Sequence, residues 1–147
     1  MIQKNKLRVE EIEKKISDIL DVLEIINMNL PQKFDYFIAM GLAKDGLYKK
    51  TEFAIESIID ICNIINSDLR LGFPETEDSL IDNLDGKGVF RKSTIEIIRQ
   101  MKGFRNILVH KYGDVDDKKA YEDIKEGLKD FETVVKEIEK FLEKQKK

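Results

Sequence analysis

Residues 48–66, YKKTEFAIESIIDICNIIN, decide the fold. Ala54, Ile58, Ile61 and Ile65 recur at threes and fours and draw one apolar stripe along a helix. Ile55, Ile59 and Cys62 widen that stripe. A helix apolar over so broad an arc needs neighbours on two sides, so residues 47–69 are predicted to form the central helix of a helical domain.

The same periodicity continues outward in both directions. Ile12, Ile16, Ile19, Leu23 and Ile26 mark an amphipathic helix that ends before Pro31. A segment starting near Phe34 is expected to pause at 41–46, where AKDG is turn chemistry. LGFPETEDSL (71–80) reads as a loop, then a short helix beginning at Thr76 or Glu77 with acids in its first turn. Leu80, Leu84 and Phe90 anchor that piece, and DGKG (85–88) turns the chain. Ser93 offers the next start, with Ile97, Met101, Phe104 and Leu108 on one face, and Gly113 is expected to stop the helix at positive φ. Tyr121, Ile124, Leu128, Phe131, Val135, Ile138 and Leu142 make the closing helix the most regular of all. No segment alternates as a strand does. The expected fold is all-α, an up-and-down bundle of four long helices plus one short helix, in a single domain over residues 1–147.

Composition narrows the chemistry. The formal net charge is −3, so a nucleic-acid partner has to meet a local patch. One cysteine, Cys62, and one histidine, His110, exclude a disulfide framework and leave too few ligands for a zinc centre. Cys62 lies in an apolar stretch and reads as a small core hydrophobe. DGKG lacks the strand and loop of a nucleotide cradle, and NLDGKG (83–88) lacks the regular oxygens of a calcium loop. No cofactor or metal is expected. MIQKNKLRVEEIEKK (1–15) has no apolar core of a signal peptide. No apolar run approaches the roughly 18 residues of a membrane helix, so a soluble, cytoplasmic protein is expected.

The lone histidine lies in GFRNILVHKYGD (103–114). Residues 91–112 hold six cations, Arg91, Lys92, Arg99, Lys102, Arg105 and Lys111, against one acid, Glu96. A basic face beside an imidazole suits a phosphodiester, because cations hold the phosphate and offset charge that develops on it. Arg99, Lys102 and Lys111 are the expected backbone-binding residues. His110 would sit in the last helical turn, where the helix dipole favours the imidazolium and the nearby cations oppose it. Asn106 and His110 share a face, and Arg105 and Tyr112 share another. Arg105 and His110 diverge by roughly 140°, so they would not converge on one phosphate within a single chain. Two copies across a two-fold axis would bring both sets around a common cleft, and would supply two imidazoles for a reaction that needs a base and an acid. The plainer alternatives stay open on these grounds: a histidine that caps a helix, an arginine that pairs with an acid, a solvated basic face and a tyrosine that only packs.

RNILVHKYGDVD (105–116) resembles the signature of the HEPN superfamily, in the branch of HepT-like toxins. The matching positions are Arg105, Asn106, His110 and Tyr112. YKKTEFAIESIIDICNIIN is similar to that family's long central helix, LGFPETEDSLIDNLDGKGVFRKS (71–93) to its loop and short helix, and YEDIKEGLKDFETVVKEIEKFL (121–142) to its closing helix. The resemblance covers roughly residues 36–145, with the first helix compatible. It implies a metal-independent ribonuclease toxin that acts as a homodimer on RNA. Arg105 would grip and polarise the scissile phosphate, His110 would serve as general base or acid, and Asn106 would orient either group. It implies as partner a nucleotidyltransferase antitoxin of the MntA type, which would adenylylate Tyr112. Glu56 and Asp60, one turn apart on the central helix, would orient Arg105 or His110 from behind, or else form a solvated edge. The alternative is a non-catalytic helical module that binds a nucleotide or the partner nucleotidyltransferase.

Overall fold

The computed structural model describes residues 7–146. The reading of residues 1–6 for a signal sequence lies outside the described residues. Six α-helices follow one another: α1 (Val9–Asn29), α2 (Phe34–Ile38), α3 (Leu42–Asp68), α4 (Glu77–Gly86), α5 (Lys92–His110) and α6 (Asp117–Gln145). A single 3-10 turn, Tyr112–Asp114, joins α5 to α6. The described residues contain no strand. The four long helices and the short α4 are the expected bundle.

The additional element is α2, one turn cut off from α3 at Gly41, whose φ of 61° is open to glycine at no steric cost. The pause is therefore shorter than expected. AKDG is helical, because Asp45 suits the first turn of α3 and Gly41 alone supplies the bend.

α3 is central, packed against α1, α4 and α5. Its two merged stripes are buried as the pattern predicts, with Ala54, Ile58, Ile61 and Ile65 inaccessible to solvent. Cys62 is buried among them, and that burial pushes its thiol pKa up to about 12, so it stays a neutral hydrophobe. α2 earns its place through Phe37, which is fully buried with its ring 5.8 Å from Tyr48 and 5.1 Å from Tyr121. Tyr48 donates to Asp117 at 2.5 Å, and Lys44 reaches the same carboxylate at 2.9 Å. Those bonds fasten the start of α6 to the first turns of α3, and so fix the far end of the turn after His110.

Two devices set α4 in place. α3 ends with Arg70 at φ 53°, with Leu71 N–H bonded to the Asn66 carbonyl at 3.0 Å and Arg70 N–H to Ser67 at 3.2 Å. This is the double-bonded helix ending in which glycine is the usual residue. The buried Asn66 then donates to the Gly72 carbonyl at 2.8 Å, and Asn83 of α4 donates to both at 3.1 and 3.2 Å. Thr76 caps α4 in a reciprocal pair with Ser79, as the acidic start suggested. Gly88, at φ 64°, closes it.

The end of α5 differs from expectation. Gly113 has no positive φ; Lys111 closes the helix and the 3-10 turn follows at once. At the other end of α5, Glu137 of α6 accepts the Arg91 N–H at 3.0 Å and the Arg91 Nε–H at 2.6 Å. Burial acts to raise the Glu137 pKa, but the two Arg91 hydrogen bonds and its charge oppose it, and the carboxyl is held below its ordinary value. A depressed carboxyl stabilises the fold above its unfolded value of about 4.5 and loses that contribution as pH falls through the folded value. Glu137→Gln should therefore lower the melting temperature at pH 7, with the gap to wild type narrowing below about pH 4. Thermal melts across pH check it, and a gap that stays constant would remove Glu137 from the acid transition.

Candidate active site

Helix α5 carries Arg105, Asn106 and His110, and the turn after it carries Tyr112. The Arg105 side chain is only 12% exposed. Its Nε–H donates to Asn106 Oδ1 at 3.0 Å, one terminal nitrogen donates to Glu77 of α4, and the other lies 4.0 Å from Glu56 of α3. Asn106 and Glu56 thus both neighbour the guanidinium, the first by a hydrogen bond and the second at ion-pair distance. Asp60 does not join them. One turn further along α3, it meets Lys15 of α1 at 3.7 Å.

Glu77 was not among the expected site residues, having been read only as an acid favourable to a helix start. A legible signal existed. Asp78, Asp82 and Asp85 repeat at four and three and give α4 an acidic stripe, opposite in charge to Lys92, Arg99 and Lys102 on α5. In the structure Lys102 meets Asp78 at 2.5 Å, Arg99 meets Asp82 at 2.5 Å and Lys92 meets Asp85 at 2.7 Å. With Glu77 on Arg105, the two helices run antiparallel along a ladder of four ion pairs.

This changes the expected basic face. Arg99 and Lys102 are each paired within the chain to an exposed aspartate, so a phosphate backbone would have to compete with those pairs. Lys111 is exposed and makes no ion pair among the described residues. His110 is exposed on the final turn of α5 and likewise has no hydrogen-bond partner among the described residues.

Tyr112 is 60% exposed. Because α5 ends at His110, the helical count no longer applies to it, and Tyr112 does not share the face of Arg105. Loss of solvent around its hydroxyl and the Asp45 carboxylate beside it raise the phenol pKa above its ordinary value. Asp45 and Glu56 are eleven residues apart on α3, about 16 Å along its axis, which separates the surroundings of Tyr112 from those of Arg105. One chain therefore displays an acid-clamped arginine on α5 and, five residues on, an exposed imidazole with which it shares no partner among the described residues. Among the described residues no group of three or more His, Cys, Asp and Glu could hold a metal ion. No helix there is long and apolar enough to cross a membrane.

The family model "Ribonuclease HepT-like" matches residues 9–138. The chain is 26% identical over 92 residues to the mRNA nuclease HepT of Shewanella oneidensis, covering 63% of this chain and 69% of that one. It is 25% identical over 138 residues to a protein of Archaeoglobus fulgidus named as a candidate RNase, covering 94% and 98% of the two chains. In structure it is similar to the tri-AMPylated HEPN toxin of Shewanella oneidensis in complex with MNT antitoxin, with a TM-score of 0.78 at 24% identity over 87% of this chain and 96% of that one. It is equally similar to YutE, a cytosolic protein of Bacillus subtilis, with a TM-score of 0.79 at 19% identity over 95% and 93%. These structural likenesses carry the fold, and the family match carries the rest. The chain belongs to the HepT-like ribonuclease family.

Proposed function

We propose that this protein is a ribonuclease toxin that cleaves RNA without a metal, in a cleft shared by two copies of the chain. The observation that carries the reading is the end of α5, where Arg105, oriented by Asn106, stands five residues before an exposed His110 with no partner of its own among the described residues. An exposed imidazole with no partner of its own is free to take or give a proton, and membership of a ribonuclease family supports that reading.

In the proposed reaction the ribose 2′-oxygen attacks the adjacent phosphorus and the bond to the 5′-oxygen breaks. One His110 takes the 2′-hydroxyl proton, and the second copy's imidazolium gives a proton to the departing 5′-oxygen. The products are a 2′,3′-cyclic phosphate and a 5′-hydroxyl. Arg105 offsets charge on the phosphate oxygens. The need for two copies follows from the single chain, whose one histidine lies about 7.5 Å along α5 from Arg105 and roughly 140° around it. The test is cleavage of a mixed RNA pool in EDTA, with product ends identified and the oligomeric state measured in the same buffer. The rival is a non-catalytic module that binds a nucleotide or a nucleotidyltransferase. One observation favours it: both Arg105 terminal nitrogens face carboxylates. Absence of cleavage by a dimer with unmodified Tyr112 would select it.

The proposed partner is an MntA-type nucleotidyltransferase antitoxin, and the proposed acceptor is Tyr112. Its exposed hydroxyl is reachable, and its place two residues after His110 puts an attached AMP beside the imidazole rather than on Arg105. Incubation with such an enzyme and ATP should add AMP to the wild type and abolish cleavage, and Tyr112→Phe should lose that label. Labelling undiminished in Tyr112→Phe, read by intact-mass spectrometry, would move the acceptor elsewhere.

A further inference from the structure

We propose that Glu77 is a carboxylate gate on Arg105, holding within the chain the edge of the guanidinium that an RNA phosphate needs, so that substrate binds by displacing it. The inference rests on the ribonuclease reading and adds to it a group that sets affinity at the same site.

A guanidinium grips a phosphate through two parallel N–H bonds from one edge of its fork. On Arg105 the edge formed by Nε and one terminal nitrogen is already taken. Nε–H is given to Asn106, one terminal nitrogen to Glu77, and the other faces Glu56. Carboxylate and phosphodiester carry the same charge and offer similar oxygens, so Glu77 occupies the arginine as the substrate would.

The manner in which Glu77 is held separates a gate from a brace. Glu137 shows what a brace looks like here: its side chain is 9% exposed and it accepts two bonds from Arg91. Glu77 is 38% exposed and accepts one bond, from Arg105 alone among the described residues. It is the first residue of α4, so its side chain can rotate while the helix stays put. Leu80, Ile81 and Leu84 hold α4 from beneath, and Asn83 ties it to the preceding loop. A cavity of about 350 Å³ lined by Asn63, Pro74 and Glu77 opens beside the carboxylate and gives it room to swing into. The three remaining rungs of the ladder lie further from His110, and only the Arg105 rung is both beside Asn106 and at the free end of α4.

The test measures binding of an RNA oligomer methylated at every 2′-hydroxyl, which cannot be cleaved, to the wild-type protein, Glu77→Gln and Glu77→Asp. Removing the competing charge should tighten binding by roughly two- to five-fold in Glu77→Gln, the range expected for a partly exposed ion pair. Glu77→Asp keeps the charge with one methylene less reach and should fall between the two. With cleavable RNA the gain should appear in KM rather than kcat. Unchanged or weaker binding in Glu77→Gln, with its melting temperature preserved, would overturn the gate, as would a failure of every protein to bind the methylated RNA. Should Glu77→Gln prove unstable, Glu77→Asp decides: binding no tighter than wild type overturns the proposal. The two readings fail separately. Tighter binding without cleavage by any form leaves the gate and removes the nuclease; His110-dependent cleavage without tighter binding does the reverse.

Discussion

His110→Ala should lower the rate of RNA cleavage by about 10²- to 10⁴-fold, the share that positioned acid–base groups contribute. The loss should fall on the chemical step. His110 is exposed and makes no hydrogen bond among the described residues, so its removal leaves no buried group unsatisfied and should not move the melting temperature. Affinity for methylated RNA should stay within a few-fold, because the phosphate is held by Arg105. Mixed dimers give a sharper form of the prediction. If one imidazole is base and the other acid in a single cleft, a dimer with one His110 and one alanine has lost one of the two roles. It should be nearly as slow as the double variant rather than half as fast as wild type. Half-rate mixed dimers would mean that one histidine serves each event, and the shared-cleft mechanism would fall.

The fold was legible because its signal is repeated many times over. Each long helix carries an apolar stripe of four or more residues, and the width of the stripe on α3 placed that helix at the centre. What escaped was carried by single residues. Gly41 severs α2 from α3 by one dihedral angle, and Gly113 does not stop α5 because Lys111 already has. The site was half legible for a related reason. Arg105, Asn106, His110 and Tyr112 lie within eight residues, so a local pattern can name them. Glu77 lies 28 residues before Arg105, and its role depends on how α4 lies across α5. A helix wheel reads one helix at a time and saw the cations of α5 as an open basic face. The acids that neutralise them stand on another helix, and only the antiparallel packing of the two brings the sets together. Tyr112 shows the same limit, since the angular count that paired it with Arg105 fails where the helix ends.

Arg105→Ala should reduce kcat/KM by about 10²- to 10³-fold, the cost of removing one donor aimed at the developing charge. The variant does more than delete a cation. Glu56 and Glu77 remain, 44% and 38% exposed, and without Arg105 they present two carboxylates to an incoming phosphate. Because water reaches both, the fold should lose only about 1 kcal/mol or less, so the defect belongs to function and not to folding. Arg105→Lys should recover part of the binding and little of the rate, since an ammonium cannot keep the Asn106 bond while it engages a phosphate with a second, fixed edge. The double variant Arg105→Ala with Glu77→Gln is the informative one. If Glu77 acts only by occupying Arg105, its removal tightens RNA binding when the arginine is present and has little to release when it is absent. The two effects on affinity should therefore be non-additive. Equal tightening with and without Arg105 would mean that Glu77 acts as general negative charge near the RNA, and the specific competition for the guanidinium would have to be abandoned.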